Sequence, residues 1–172
     1  MVRPRAEVNA QPGSRDRARR VLYRLALPIF NGYRLIARPR TRSVACVITH
    51  RDEVLLVRHT YRDQEQWTLP GGLRQSKESA EDAAEREMEE ELGRRLSGWR
   101  AVHSSRSRSR TGLHVTTCMH AELASRRVDP DAGELARAAW FAMNELPNAI
   151  SADVVKMLRR VRISVDGHQP GC

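Results

Sequence analysis

From Val44 to Thr49 two sets of side chains alternate, Val44, Cys46 and Ile48 against Ala45, Val47 and Thr49. A short His50-Arg51-Asp52 turn then leads into "VLLV". Period-two alternation on both sides of a polar turn predicts two strands joined as a hairpin. The polar loop "TYRDQEQ" and the segment "WTLPGG" follow; the latter predicts a short strand stopped by Pro and Gly. Ala80, Ala84, Met88 and Leu92 recur at four-residue steps, the apolar stripe of a helix. Ser79 stands at its N-cap with Asp82 in a capping-box-like place, and Gly93 marks its end. Two strands are expected around Trp99–Ser104 and Leu113–Leu123, with the basic stretch "SSRSRSRTG" as the loop between them. A further strand, "ARAAWFA", and a last amphipathic helix carrying Val154, Met157, Leu158 and Val161 complete the pattern. Strands interspersed with helices imply an α/β or α+β fold packed in layers.

Upstream the pattern differs. Residues 1–18 hold few large apolar groups and read as disordered. Val21, Leu22, Leu25, Ile29, Tyr33 and Ile36 then fall on one helical face, split or kinked near Pro28 and Asn31-Gly32. Such a basic helix would lie on an anionic membrane or pack on the domain that follows. The chain thus divides into a basic N-terminal arm and amphipathic helix (1–40), a globular domain (41–165) and a C-terminal tail (166–172).

The composition of the 172 residues narrows the setting. No apolar run approaches the roughly 20 residues of a membrane-spanning helix. The best signal-peptide candidate, "VLYRLALPIF", is broken by Arg24 and Pro28. Three cysteines without a close pair suit a reducing cytosol and make a cysteine-based zinc site improbable, so a cytoplasmic location is expected. The net charge is +9, and all basic residues except Lys77 and Lys156 are arginine. That bias fits a GC-rich genome as well as it fits a polyanionic partner; either way phosphates are attracted.

Against this basic background, eight of the fourteen residues from Glu78 to Glu91 are acidic, opposed only by Arg86. On a helix Glu87, Glu90 and Glu91 share one face. Like charges at this spacing cost about 0.2–0.5 kcal/mol per pair, and late in a helix they also oppose the macrodipole. A hard divalent cation would reverse that sign, since Mg2+ takes several carboxylate oxygens at once. A solvated glutamate face is the plainer alternative. Upstream, Pro70-Gly71-Gly72 lets a backbone carbonyl come close to such a site. Arg86 faces away from the centre of the cluster, yet as a neighbour of Glu87 its fork could orient a carboxylate.

The residues Gly72, Glu78, Arg86-Glu87, Met88, Glu90-Glu91 and Gly93 reproduce, at its spacing, the signature of the Nudix hydrolases, which this chain resembles over roughly residues 42 to 148. Arg94 replaces the signature's last aliphatic residue, with Leu96 to supply the packing, and Lys77 stands where many members have Gly. The resemblance implies an α/β fold, an α/β/α sandwich around a mixed β-sheet, here with a helical N-terminal extension. It implies hydrolysis of a nucleoside diphosphate linked to another moiety, with Mg2+ (or Mn2+) as cofactor. It assigns the metal to Glu87, Glu90, Glu91 and the Gly71 carbonyl. Arg86 would orient Glu87, and Glu78 would hold Arg86 or bind a further ion. The general base would be Glu90 or Glu87, or else a loop carboxylate, for which Glu134 is the candidate.

The substrate lies outside the signature. Between Gly93 and Val128 there is neither the Pro often found in the family's ADP-ribose branch nor the Tyr often found in its diadenosine-polyphosphate branch. A small nucleotide-type substrate leads. Arg106, Arg108 and Arg110 leave open an RNA 5′-end pyrophosphohydrolase, although aromatic residues for stacking are few. A non-catalytic ligand-sensing module is the third reading, and a homodimer is compatible with all three. His114, Thr116, Cys118 and His120 alternate onto one strand face, where core or surface histidines are a better account than zinc.

Overall fold

The computed structural model describes residues 2–8, 21, 40–61, 65–109 and 112–166. The amphipathic segment from Val21 to Ile36, Val21 apart, and the tail beyond 166 lie outside the described residues. Seven elements form the body around the edge strand β1 (Ala6–Val8). They are β2 (Thr41–His50), β3 (Glu53–His59), helix α1 (Ala80–Leu92), β4 (Arg100–Ser109), β5 (Gly112–Glu122), β6 (Leu135–Ala142) and helix α2 (Ala152–Asp166). The strands make one mixed sheet in the order β1-β6-β3-β2-β5-β4. Only β2 and β5 run parallel; every other neighbouring pair is antiparallel.

The alternation along β2 sorts its side chains onto two cores. Val44, Cys46 and Ile48 meet α1 through Ala83, Ala84, Met88 and Leu92. Val47 joins Val154, Leu158 and Val161 of α2 on the other face, where Trp67 packs edge-on to Phe141 at 4.9 Å. A helix on each face gives the α/β/α sandwich. Met88 and Leu92 are fully buried, which contributes roughly 1.5–3 kcal/mol for each side chain. Leu96, 5% exposed, enters the same core two residues past Arg94.

The hairpin ladder between β2 and β3 is only two pairs long, Thr49 with Val54 and His50 with Glu53. Beyond it the strands part, and the "WTLPGG" segment occupies the gap without becoming a full strand. Val57 and Thr68 exchange both backbone bonds at 2.9 Å. On the other side Cys46 N donates to Pro70 O and Val44 N to Gly72 O, each at 2.9 Å. This wedge fixes the Pro-Gly-Gly backbone against the sheet, directly beneath α1.

Two expectations are corrected. The Arg/Ser stretch is not a loop: β4 runs through Ser109, pairing Arg106 with Val115 and Arg108 with Leu113. Its polarity suggested a loop, but an edge strand tolerates charge, and alternating Arg and Ser has the period of a strand. Within residues 1–18, Ala6–Val8 pairs with Ala138–Trp140 of β6. Arg5 secures it, with its N–H on Trp140 O (2.8 Å) and its guanidinium on Asp52 (2.8 Å). Among the described residues no helix is long and apolar enough to cross a membrane.

Candidate active site

Helix α1 begins as its sequence dictates. The Ser79 hydroxyl accepts from Asp82 N (3.0 Å) and donates to the Asp82 carboxylate (2.7 Å). It ends at Gly93 in the left-handed conformation, whose N–H reaches Glu89 O, while Arg94 N bonds to Met88 O. No basic residue sits in the last turn, so Glu89, Glu90 and Glu91 stand at the negative end of the helix dipole, although Arg95, just beyond it, pairs with Glu89 at 2.9 Å.

The signature residues differ in depth. Glu91 is 1% exposed and Glu87 8%, whereas the Glu90 side chain is half exposed. The Glu91 carboxylate accepts the Gly71 N–H at 3.0 Å, and its other oxygen lies 3.8 Å from His59 Nδ1. Gly71 has φ 130°, a conformation closed to other residues, and a Cβ there would lie 2.4 Å from Val44 O. A Cβ on Gly72 would come within 2.4–2.5 Å of the Glu87 carboxylate. Gly71 is therefore required by its backbone conformation and the Val44 carbonyl, and Gly72 lies where a side chain would crowd the Glu87 carboxylate.

Arg86 does not face away from the cluster. Its side chain bends back, with Nε and Nη2 gripping Glu78 at 2.8 and 3.1 Å. Nη1 donates to Glu87 (2.8 Å) and Glu90 (3.1 Å), and Nη2 also reaches Leu73 O. The fork lowers the Glu78 carboxyl from its ordinary value, with the Gln75 N–H helping. Glu87 moves the other way: burial raises it more than Arg86 lowers it, and the charges of Glu90 and Glu134 raise it further.

Glu134 comes from the loop that precedes β6. The Asp129 and Asp131 N–H groups cap the Leu92 and Glu91 carbonyls at 2.9 Å, tying the loop to the end of α1. The Glu134 carbonyl accepts from Thr60 N at 2.8 Å. Glu134 is thereby delivered to the glutamate face from 43 residues beyond Glu91 in the chain. His59 is a site residue that the sequence reading missed. Its signal is the irregular register between Arg58 and His59, visible only once β3 pairs with β6.

Oxygen donors, burial of Glu87 and Glu91, and an unfavourable helix end all fit a hard divalent cation. Among the described residues, no three His, Cys, Asp or Glu side chains are drawn together closely enough to hold an ion outright. Arg86 engages two of the three glutamates expected to hold the metal, Glu87 and Glu90. The histidines of β5 serve hydroxyls instead. His114 contacts Thr41 (2.6 Å) and Ser43 (3.0 Å), His120 contacts Thr49 (2.9 Å), and burial pushes the Cys118 thiol up to about 11.

The family model for the NUDIX domain matches residues 39–161. Similar solved structures include a MutT NUDIX hydrolase from Burkholderia pseudomallei, 24% identical with TM-score 0.63, covering 72% of this chain and 98% of that one. The NUDIX domain of NrtR from Shewanella oneidensis, complexed with ADP ribose, is 19% identical with TM-score 0.63, covering 74% and 89%. An Ap4A hydrolase from C. elegans, in a binary complex, is 18% identical with TM-score 0.62, covering 74% and 98%. At these identities the likeness is one of fold. No curated protein matches the chain in sequence.

Proposed function

Because the chain belongs to the Nudix hydrolase family, we propose that it is a divalent-metal-dependent pyrophosphohydrolase acting on a nucleoside diphosphate linked to another moiety. The observation that carries this reading is the pair of buried carboxylates, Glu87 and Glu91, pressed against the Gly71-Gly72 backbone at the negative end of α1. Glu87, Glu90, Glu91 and the Gly71 carbonyl would hold Mg2+ or Mn2+. Bound there, the cation would neutralise the diphosphate and favour attack by water at phosphorus.

The chain's own groups have separable tasks. Glu78 fixes the Arg86 fork, and the fork sets the direction of Glu87 and Glu90. The Gly71 N–H keeps Glu91 turned toward the Pro-Gly-Gly wedge. Glu134 is our choice of general base, because Glu87 and Glu90 are already engaged by the Arg86 fork. Glu134 would take the proton of the attacking water. The buried free thiols Cys46 and Cys118 support a reducing, cytoplasmic setting.

The test is a substrate panel assayed with Mg2+, with Mn2+ and with chelator: nucleoside triphosphates, sugar nucleotides, ADP-ribose and dinucleoside polyphosphates. Metal-dependent release of a nucleoside monophosphate or phosphate is expected. Release from none of them would sink the reading and leave a ligand-sensing domain. A second arm, 5′-triphosphorylated RNA, is warranted because Arg106 and Arg108 pair with Val115 and Leu113. These share the sheet face of Met119, which packs toward α1. Salt-sensitive turnover of that RNA, with weak activity on free nucleotides, would favour the RNA reading.

A further inference from the structure

On the sheet face opposite α1, a pocket of about 380 Å³ opens between the turn after β2, the start of β4 and the later part of α2. The buried Val161 lines it, as does His120, which is 4% exposed and bonded through Nε2 to the Thr49 hydroxyl. Three arginines, Arg51, Arg100 and Arg162, are among the residues that line it. Two carboxylates also line it, Asp52 and Glu122. Arg5 lies 2.8 Å from Asp52 and neutralises it, so among the described lining residues three arginines are balanced only by Glu122.

A second, independent observation concerns Arg51. It occupies the two-residue turn between β2 and β3 with φ 55°, in the left-handed region. Turns of this kind place Gly, Asn or Asp where φ is positive. A long charged side chain there holds the backbone in a disfavoured conformation, and strain of this sort gathers at functional sites. Arg100 stands directly opposite His120 across the β4–β5 ladder. Burial first, then the Arg100 charge, holds the His120 imidazole below its usual range, leaving it a neutral hydrogen-bonding group at the base.

We propose that this pocket is a second anion site that takes a phosphate-bearing small molecule, separated by the sheet from the glutamate face. Guanidinium forks match phosphate oxygens in pairs, and the volume is in the range of small-ligand sites. The inference does not depend on the catalytic reading.

Inorganic phosphate is the probe, titrated into the isotope-labelled full chain at constant ionic strength and followed by amide NMR. Saturable shifts are expected at Thr49, His120 and Asn144. The Arg100→Gln/Arg162→Gln double variant should weaken the apparent affinity at least tenfold. Both side chains are exposed, so its spectrum should stay dispersed. Glu91→Gln on the other face should bind within twofold of the parent. Arg51→Gly should bind several-fold more weakly while melting at a higher temperature, since it removes charge and strain together. Shifts that grow linearly without saturation overturn the proposal. So does equal binding by the double variant or by Arg51→Gly. Loss of the signal in Glu91→Gln overturns it as well, by assigning the phosphate to the glutamate face.

Discussion

Glu53 and Glu91 are both 1% exposed, yet their charges are met in different ways. Glu53 receives a two-pronged Arg126 fork, Nε at 2.5 Å and Nη2 at 2.8 Å, with Arg5 3.7 Å away. Its neighbourhood is complete, and it ties the start of β3 to the segment before β6 and to the N-terminal strand. Glu91 has a backbone N–H and a histidine nitrogen at 3.8 Å, on a helix end crowded with further glutamates. One buried carboxylate is gripped by a guanidinium fork. The other lies in an environment that a cation would improve, and that asymmetry separates a structural ion pair from a proposed metal face.

The sharpest way to break the comparison is to remove each charge in turn. Glu91→Gln should lower turnover by about 10³-fold, or ~4 kcal/mol of transition-state stabilisation, with the circular dichroism spectrum unchanged. Near-parental activity would mean that Glu91 is no metal ligand. Glu53→Gln should do the reverse, leaving activity per folded molecule intact while lowering stability by about 2 kcal/mol. That is less than a fully buried pair loses, because the partner Arg126 can rehydrate. Chemical denaturation reads it directly; a stability loss no larger for Glu53→Gln than for Glu91→Gln would erase the distinction.

The pH dependence sharpens it further. In chelator, burial holds Glu87 above the ordinary value of about 4.3. Between that value and the raised one the native state binds more protons than the unfolded chain, so this group's contribution to stability falls as pH rises. Glu78 is depressed by Arg86, so its contribution is present above the ordinary value and is lost as pH falls through the lowered one. Melting curves of Glu87→Gln against the parent should therefore diverge as pH rises across the first window, the variant gaining. Mg2+ should close the gap by stabilising the parent. A difference independent of both pH and metal would show that Glu87 is as well compensated as Glu53.

The smallest effect belongs to Lys77, which adopts φ 66° just before Glu78. Lys77→Gly should raise stability by about 0.5 kcal/mol, the left-handed penalty of a side chain less the added entropy of Gly in the unfolded chain. Calorimetry that shows destabilisation instead would mean the lysine side chain supports the loop carrying the Glu78–Arg86 pair.

The sequence by itself determined whatever depends on near neighbours. Alternation along β2, the stripe through Met88 and Leu92, the Ser79 and Gly93 caps and the shared face of Glu87, Glu90 and Glu91 all repeat at fixed backbone periods. Tertiary structure alone decided what depends on distant segments meeting. The bulge beside His59 needs β6, the seat of Glu134 needs the capped end of α1, and the bending of Arg86 onto Glu78 needs the loop to fold back. The Arg/Ser stretch became a strand because β5 was there to pair with it, an interaction that no local window of the chain contains.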